Sequence, residues 1–110
     1  MWLPNRENAV VDLAKLVDYC LNAQHEEGRH KARVFAAALN LGQEDAPWLA
    51  AEILSAARTC AATEQDKNAY GQRFVIDFDL RRNGRAVRVR SAWIVRSVEG
   101  FPRLTSCYVL

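Results

Sequence analysis

The sequence predicts an α+β domain in which three helices come first and a three-stranded antiparallel β-meander follows. Up to Cys60, apolar residues recur at helical spacing, whereas from Tyr70 to Leu110 they alternate with polar residues as in half-buried strands. An Asn83-Gly84 pair between two alternating stretches is a strong hairpin signal, because both residues tolerate a positive φ. Helices followed by strands favour packing of the helices on one face of the sheet. A single domain over 1–110 is expected.

The first helix is predicted to begin after Asp12, whose short acceptor side chain suits an N-cap. Five apolar residues then share one stripe: Leu13, Leu16, Val17, Cys20 and Leu21. The polar run from Asn22 to Gly28 ends this helix. Before it, residues 9–11 (Ala-Val-Val) are an alternative fourth, short strand.

The second helix is predicted to open at Gly28, with Gly42 just beyond it as a left-handed C-cap. Its apolar positions are Val34, Phe35, Ala38 and Leu39. Asp45 followed by Pro47 resembles a cap and an early-helix proline, which predicts the start of the third helix. That helix carries Trp48, Leu49, Ile53, Ala56, Ala57 and Cys60. The polar stretch 63–69 is expected to be a linker.

The meander is predicted from three alternating stretches. In the first, four apolar residues alternate with more polar ones: Phe74, Ile76, Phe78 and Leu80. The return strand places Val87, Val89, Ser91, Trp93 and Val95 on one face and Arg88, Arg90, Ala92, Ile94 and Arg96 on the other. After a break at 100–102, the third strand is predicted over 104–110.

The net charge of +2 conceals an uneven distribution. Up to Ala69 there are seven Lys and Arg residues against ten acids, and from Tyr70 onward eight arginines against three acids. Because the planar fork of arginine suits phosphate, a sheet bearing Arg88 and Arg90 favours RNA or another polyanion, or an acidic protein, as partner. The alternative is a solvated face whose arginines guard the hairpin against edge-to-edge pairing.

Composition argues against several classes of protein. No apolar run approaches the ~20 residues of a membrane span, and the N-terminus lacks the regions of a signal peptide, so no membrane association and a cytoplasmic location are expected. Cys20, Cys60 and Cys107 are scattered and odd in number, as expected of buried thiols in a reducing compartment. No glycine-rich phosphate loop, G-x-S-x-G elbow or catalytic-cysteine signature is present, and no cofactor is expected.

The run from His25 to Arg33 is the most suggestive for chemistry, because it leads from a loop into a helix. Helix N-termini bind anions, so Arg29 and Lys31 there would suit phosphate. Histidine is the usual acid or base near neutral pH, with His30 the first candidate and His25 the second. A metal site is not expected, because an i, i+5 spacing does not place both histidines on one helix face. The alternative that both are structural stays open.

A second cluster lies on the predicted return and final strands: Trp93, Arg103, Thr105, Ser106 and Tyr108. An aromatic residue with arginine and hydroxyl groups on a sheet suits a nucleotide, because bases stack and phosphates need forked donors. Trp93 shares its face with Val89 and Val95, which favours a place in the core instead.

Over its whole length the sequence resembles an uncharacterised bacterial domain family. The residues that carry the resemblance are Leu3-Pro4-Asn5, Lys15-Leu16, Tyr19, His25, Gly28-Arg29-His30-Lys31-Ala32, Phe35, Tyr70-Gly71, Trp93-Ile94-Val95 and Pro102-Arg103-Leu104-Thr105. Members of that family occur alone and as C-terminal domains of polymorphic-toxin-like proteins. The resemblance therefore implies a toxin-like domain with a small neutralising partner protein. The order of helices and meander is also similar to the ribonuclease toxins grouped around barnase, EndoU, colicins and RelE.

Two hypotheses follow from different classes of protein. In the first, a toxin-like domain binds and cleaves RNA without a metal, with His30 and then His25 as acid/base, Arg29, Lys31 and Arg103 on phosphate, and Thr105 orienting the scissile group. In the second, a non-catalytic module docks an acidic partner protein on its arginine-rich sheet. The sequence leaves open whether the protein is an enzyme. Convergence of 28–31 and 103–105 on one cleft would favour the first hypothesis.

Overall fold

The computed structural model describes residues 1–110 and has the expected α+β architecture. A short helix α1 (Leu13–Lys15) continues as a π-helical turn (Leu16–Cys20), and two longer helices follow, α2 (Arg29–Leu39) and α3 (Ala46–Thr59). Single 3₁₀ turns cover Arg6–Asn8 and Gln43–Asp45. The four strands are β1 (Thr63–Asn68), β2 (Gly71–Arg82), β3 (Arg85–Arg96) and β4 (Pro102–Val109). They form one antiparallel sheet in the order β1-β2-β3-β4.

The β2–β3 hairpin confirms the prediction made from Asn83-Gly84. Arg82 and Arg85 are paired across a two-residue turn, in which Asn83 has a φ of 50° and Gly84 a φ of 79°. Both central residues therefore adopt the left-handed conformation that a type I′ turn requires. This turn sets the register of the whole β2–β3 ladder, from Arg82↔Arg85 to Gly71↔Arg96.

The stretch predicted as a linker is instead the edge strand β1, so the sheet has four strands. All six residues of β1 are exposed, and it pairs with β2 only from Thr63↔Val75 to Asn68↔Gly71. The alternative strand over 9–11 is reduced to one parallel bridge between Val10 and Arg103. The fourth strand thus lies before the hairpin and not at the N-terminus.

One helix cap follows the prediction and one does not. The Asp12 carboxylate accepts a hydrogen bond from the N–H of Ala14 at 3.0 Å and caps α1 as expected. The left-handed residue that ends α2 is Asn40 (φ 54°), while Gly42 is extended, so the prediction of a Gly42 C-cap is wrong. Asparagine replaces glycine here because its short polar side chain tolerates this conformation.

The helices cover one face of the sheet and enclose the core between them. The sheet contributes Phe74, Ile76, Phe78, Leu80, Val89, Trp93, Leu104 and Cys107 to it. Trp93 is 1% exposed, and its indole N–H donates to the Ser91 hydroxyl, which donates in turn to the carbonyl of Ile76. All three cysteines are free thiols. No helix is long and apolar enough to cross a membrane.

Candidate functional site

Six half-buried side chains form a continuous row from the middle of the open sheet face to the loop before α2. We name it the polar row; its members are Asp77, Arg90, Tyr108, Lys31, Tyr19 and His25. Strand register creates its first half, because Arg90 on β3 lies opposite Asp77 on β2 and opposite Tyr108 on β4. Lys31, from the first turn of α2, reaches the ring of Tyr108 and extends the row across the edge of the sheet.

Asp77 and Arg90 form a bidentate ion pair at the centre of the sheet. Arg90 donates from Nε to Oδ1 at 2.7 Å and from Nη2 to Oδ2 at 2.9 Å. The hydrogen bonds from Arg90 hold the pKa of Asp77 below its usual range, and those to Asp77 raise the pKa of Arg90, with a further contribution from the Tyr108 hydroxyl. The guanidinium is thereby fixed in orientation, and its Nη1 is not used by Asp77.

The ammonium group of Lys31 lies between two aromatic rings. Its Nζ is 4.8 Å from the ring centroid of Tyr19 and 5.6 Å from that of Tyr108, and it donates to the Tyr19 hydroxyl at 2.7 Å. No carboxylate lies within 4.0 Å of it. The rings stabilise the charge by cation–π attraction, but the remaining N–H donors of the ammonium have no anionic partner.

His25 ends the polar row and also organises the start of α2. Its Nδ1 accepts hydrogen bonds from the N–H groups of Glu27 (3.0 Å) and Gly28 (2.9 Å), and its ring packs edge-on against Tyr19 at 5.0 Å. Because Nδ1 is an acceptor, the neutral ring carries its proton on Nε2. His25 can therefore donate a hydrogen bond from Nε2 to a ligand.

Position 28 requires glycine because Tyr19 lies too close for a side chain, and not because of its backbone conformation. A methyl group at this position would collide with the carbonyl oxygen and the ring of Tyr19. The absence of a side chain lets the first turn of α2 pack directly against the π-helical turn. This contact places Lys31 above the ring of Tyr19.

The polar row contains some of the residues predicted from the sequence. Lys31, Arg90 and His25 belong to it. His30 and Arg29 are exposed in the first turn of α2, and their side chains make no hydrogen bond or ion pair. No group of three or more His, Cys, Asp and Glu side chains could hold a metal ion.

The remaining predicted residues have other partners. Arg88 forms an exposed ion pair with Asp79 at 3.1 Å. Arg103 donates to both oxygens of Glu99 at 2.9 Å, which raises the pKa of Arg103, and Thr105 donates to the carbonyl of Ala92 at 3.1 Å. No hydrogen bond, ion pair or cation–π contact joins 103–105 to 28–31. On β4, Tyr108 lies against Lys31 of α2.

The arginines of the sheet are largely neutralised within the chain. Six of the eight after Tyr70 have an acidic partner: Arg73, Arg82, Arg88, Arg90, Arg96 and Arg103. Arg81 and Arg85 are exposed and have no acidic partner within 4.0 Å. Among the half-buried cations, Lys31 is the one that has no acidic partner.

Sequence reasoning did not place Asp77 or Tyr19 in a site, and it named Tyr108 only as a stacking candidate. Asp77 was recognisable once the Asn83-Gly84 turn fixed its register opposite Arg90. Tyr19 had no such local signal, because its contact with Lys31 depends on how the π-helical turn packs against α2.

Fold and site together define an α+β domain with a half-buried polar row that runs from the sheet to the start of α2. The chain belongs to a family described as a domain of unknown function, DUF6883, whose model matches residues 2–110. This match confirms the expectation of an uncharacterised domain family. No curated protein matches the sequence.

Among solved structures, the chain is similar to a chain of a contact-dependent growth inhibition toxin–immunity protein complex from Klebsiella pneumoniae 342. The two chains are 18% identical, superpose with a TM-score of 0.65 and cover 96% of each other. At this level of identity the likeness shows a shared fold.

Proposed function

We propose that this chain is a toxin-like domain that binds the phosphate backbone of RNA at the polar row and cleaves RNA without a metal. The observation that carries the proposal is the ammonium group of Lys31, which is held on two tyrosine rings and has no carboxylate partner. A half-buried cation without an anion is electrostatically incomplete, and a phosphodiester supplies the missing charge.

The neighbours of Lys31 supply further donors of the kind that phosphate binds. Arg90 has an Nη1 that Asp77 does not use, and His25 has an Nε2–H to donate. Arg29 and Arg88 are exposed, and we assign them to adjacent phosphates of an extended strand, Arg88 in exchange for its exposed ion pair with Asp79. Arg103 is proposed as a more distant backbone contact only, because Glu99 already occupies its fork.

The proposed cleavage uses the 2′-hydroxyl of RNA as nucleophile. His30, next to Lys31, takes the proton from that hydroxyl, and the 2′-oxygen forms a bond to phosphorus. The bond from phosphorus to the 5′-oxygen breaks, and this oxygen receives a proton from the Tyr19 hydroxyl, which accepts from Lys31 and keeps its own O–H to donate. A 2′,3′-cyclic phosphate remains, and Lys31 stabilises the extra charge on phosphorus. Thr105, which bonds to Ala92, is assigned a role in holding β4.

A small neutralising partner protein belongs to the same proposal. Support comes from the shared fold with a chain of a toxin–immunity protein complex. The competing hypothesis of a non-catalytic module that docks an acidic protein on its arginine-rich sheet is weaker, because internal carboxylates already pair most of those arginines.

A cleavage assay tests the proposal. Purified chain is incubated with mixed cellular RNA and a chelator, beside Lys31→Gln and the control Lys67→Gln, which removes an exposed lysine of β1. We expect cyclic-phosphate ends from the wild type and from Lys67→Gln, and a loss of roughly 10²-fold for Lys31→Gln. Absence of cleavage by the wild type, or equal cleavage by both variants, would contradict the proposal.

A further inference from the structure

The edge of β2 is covered by β1 along only part of its length. β1 pairs with β2 from Gly71 to Val75, and from Ile76 to Arg82 no strand lies on that side. A strand edge of this kind presents unpaired N–H and C=O groups, to which another extended chain can bind.

The hairpin register identifies the unpaired groups. Arg82 and Arg85 flank a two-residue turn and so form a hydrogen-bonded pair, after which the bonded pairs alternate along the ladder. The backbone groups of Asp77, Asp79 and Arg81 therefore point away from β3, toward the open edge. None of these three residues makes a backbone hydrogen bond outside the helices and strands.

A groove of about 690 Å³ lies between this edge and α3. On the helix side, Glu52 and three small residues, Ser55, Ala56 and Thr59, line it. A strand added to a sheet lies about 4.8 Å from its neighbour, and short side chains on the opposite wall leave width for one. The free stretch from Asp77 to Arg81 spans about 13 Å, the length of a five-residue extended segment.

The charge of the groove indicates the chemistry of its occupant. Three carboxylates line it, Glu52, Asp77 and Asp79, against the single guanidinium of Arg88. Asp77 and Asp79 are paired with arginines of β3, whereas Glu52 has no cationic partner within 4.0 Å. An occupant with a lysine or arginine opposite Glu52 would complete the groove.

We propose that this groove binds an extended, basic segment of the neutralising partner protein, which adds to the sheet as a strand beside β2. The proposal rests on the proposed function for the identity of that partner. Main-chain hydrogen bonds to Asp77, Asp79 and Arg81 give affinity, and a basic side chain toward Glu52 gives specificity. Because Asp77 also begins the polar row, the bound segment lies beside the residue that orients Arg90.

The test selects binding peptides from a displayed library of random ten-residue sequences on the intact chain. We expect enrichment of β-branched sequences with a lysine or arginine. A synthetic peptide of the enriched sequence should slow hydrogen exchange at the amides of Asp77, Asp79 and Arg81. An unenriched library, or peptides that protect other amides, overturns the proposal.

Two variants locate the site. Asp79→Pro removes one outward N–H without touching the β3 ladder, and Asp79→Ala is its control, because only the side chain is lost. Asp79→Pro should weaken peptide binding about tenfold, because it removes one hydrogen bond and its ring hinders the approach of the peptide. Asp79→Ala should weaken binding much less. Ser55→Trp fills the groove from α3 and should abolish binding, which keeps the test decisive if the proline variant fails to fold.

The remaining outcomes separate this proposal from the proposed function. Equal peptide binding by the wild type, Asp79→Pro and Ser55→Trp overturns the groove. Self-association of the wild type that Ser55→Trp abolishes would also overturn the proposal, because the groove would then bind a second copy of this chain. RNA affinity of Ser55→Trp should equal that of the wild type. If neither the wild type nor any variant cleaves RNA, the proposed RNA cleavage is refuted. Peptide binding in the groove would not be affected by that outcome.

Discussion

The Nζ atom of Lys31 lies 5.6 Å from the ring centroid of Tyr108. This contact joins the first turn of α2 to the end of β4, two elements that the sequence separates widely. On its other side, the same ammonium group donates to the hydroxyl of Tyr19. The proposed function depends on this arrangement, because it leaves a cation without a carboxylate at the edge of an exposed sheet.

The Asp77–Arg90 pair predicts an acid-sensitive contribution to stability. Its hydrogen bonds hold the pKa of Asp77 below the ordinary value of 3.8. The contribution is therefore complete above about pH 4 and is lost as the pH falls through the lower pKa of the folded state. Asp77→Asn should reduce the free energy of unfolding at pH 7 by about 1 kcal/mol, since the pair is partly exposed. It should also flatten the decline in stability below pH 4.

Urea unfolding between pH 2 and 7 measures both effects. Asp66→Asn is the control, because this exposed residue approaches Arg73 only at 3.8 Å. An acid profile of Asp77→Asn that matches the wild type would show that the pair contributes nothing to the pH dependence.

Gly28 offers a test of the packing that positions Lys31. Gly28→Ala would place a methyl group against the Tyr19 carbonyl, and such overpacking costs about 1–3 kcal/mol. The reduced entropy of the unfolded chain offsets only about 0.4–1 kcal/mol of this. The net result should be a lower melting temperature. At the control position, Gly42→Ala meets only the flexible end of the Glu44 side chain and should change stability little. Equal melting temperatures for both variants would argue against a tight contact at Gly28.

Replacing each histidine by alanine should have a different effect, on stability at His25 and on RNA cleavage at His30. His25→Ala removes the acceptor of two backbone N–H groups and should lower the free energy of unfolding by about 1–2 kcal/mol. His30 is exposed, so His30→Ala should stay within about 0.5 kcal/mol of the wild type. The same change should slow RNA cleavage by at least roughly 10²-fold, the usual scale for a positioned acid or base. Unfolding and cleavage of the two variants are measured side by side. If His30→Ala cleaves as well as the wild type, His30 is not the base.

Local sequence patterns predicted much of the fold. The Asn83-Gly84 turn and the alternation on both sides of it predicted the hairpin and its buried face, because each depends only on neighbouring residues. The strand β1 could not be found in this way. Its six exposed residues bury no face, so no alternation marks it, and pairing with β2 alone makes it a strand.

The site was less accessible from the sequence than the fold. The run from His25 to Arg33 leads into α2, as expected, but the neighbours expected for it on β4, Arg103 and Thr105, bond to Glu99 and Ala92 instead. Arg103 and Tyr108 are five residues apart on β4, which is about 16 Å along an extended strand. An error of this size in the expected packing places Tyr108, and not Arg103, beside Lys31. Which part of β4 meets α2 is decided by tertiary packing of the helices.

The phosphate site at Lys31 is tested most directly by the salt dependence of RNA binding. The proteins compared are the wild type, Lys31→Gln and the control Lys67→Gln. A single-stranded RNA with 2′-O-methyl groups serves as the probe, because it cannot be cleaved through its 2′-oxygen. We expect Lys31→Gln to weaken binding about tenfold and to reduce the slope of log K against log salt by about one, while Lys67→Gln binds as the wild type does. Equal affinity and slope for all three proteins would contradict a phosphate site at Lys31.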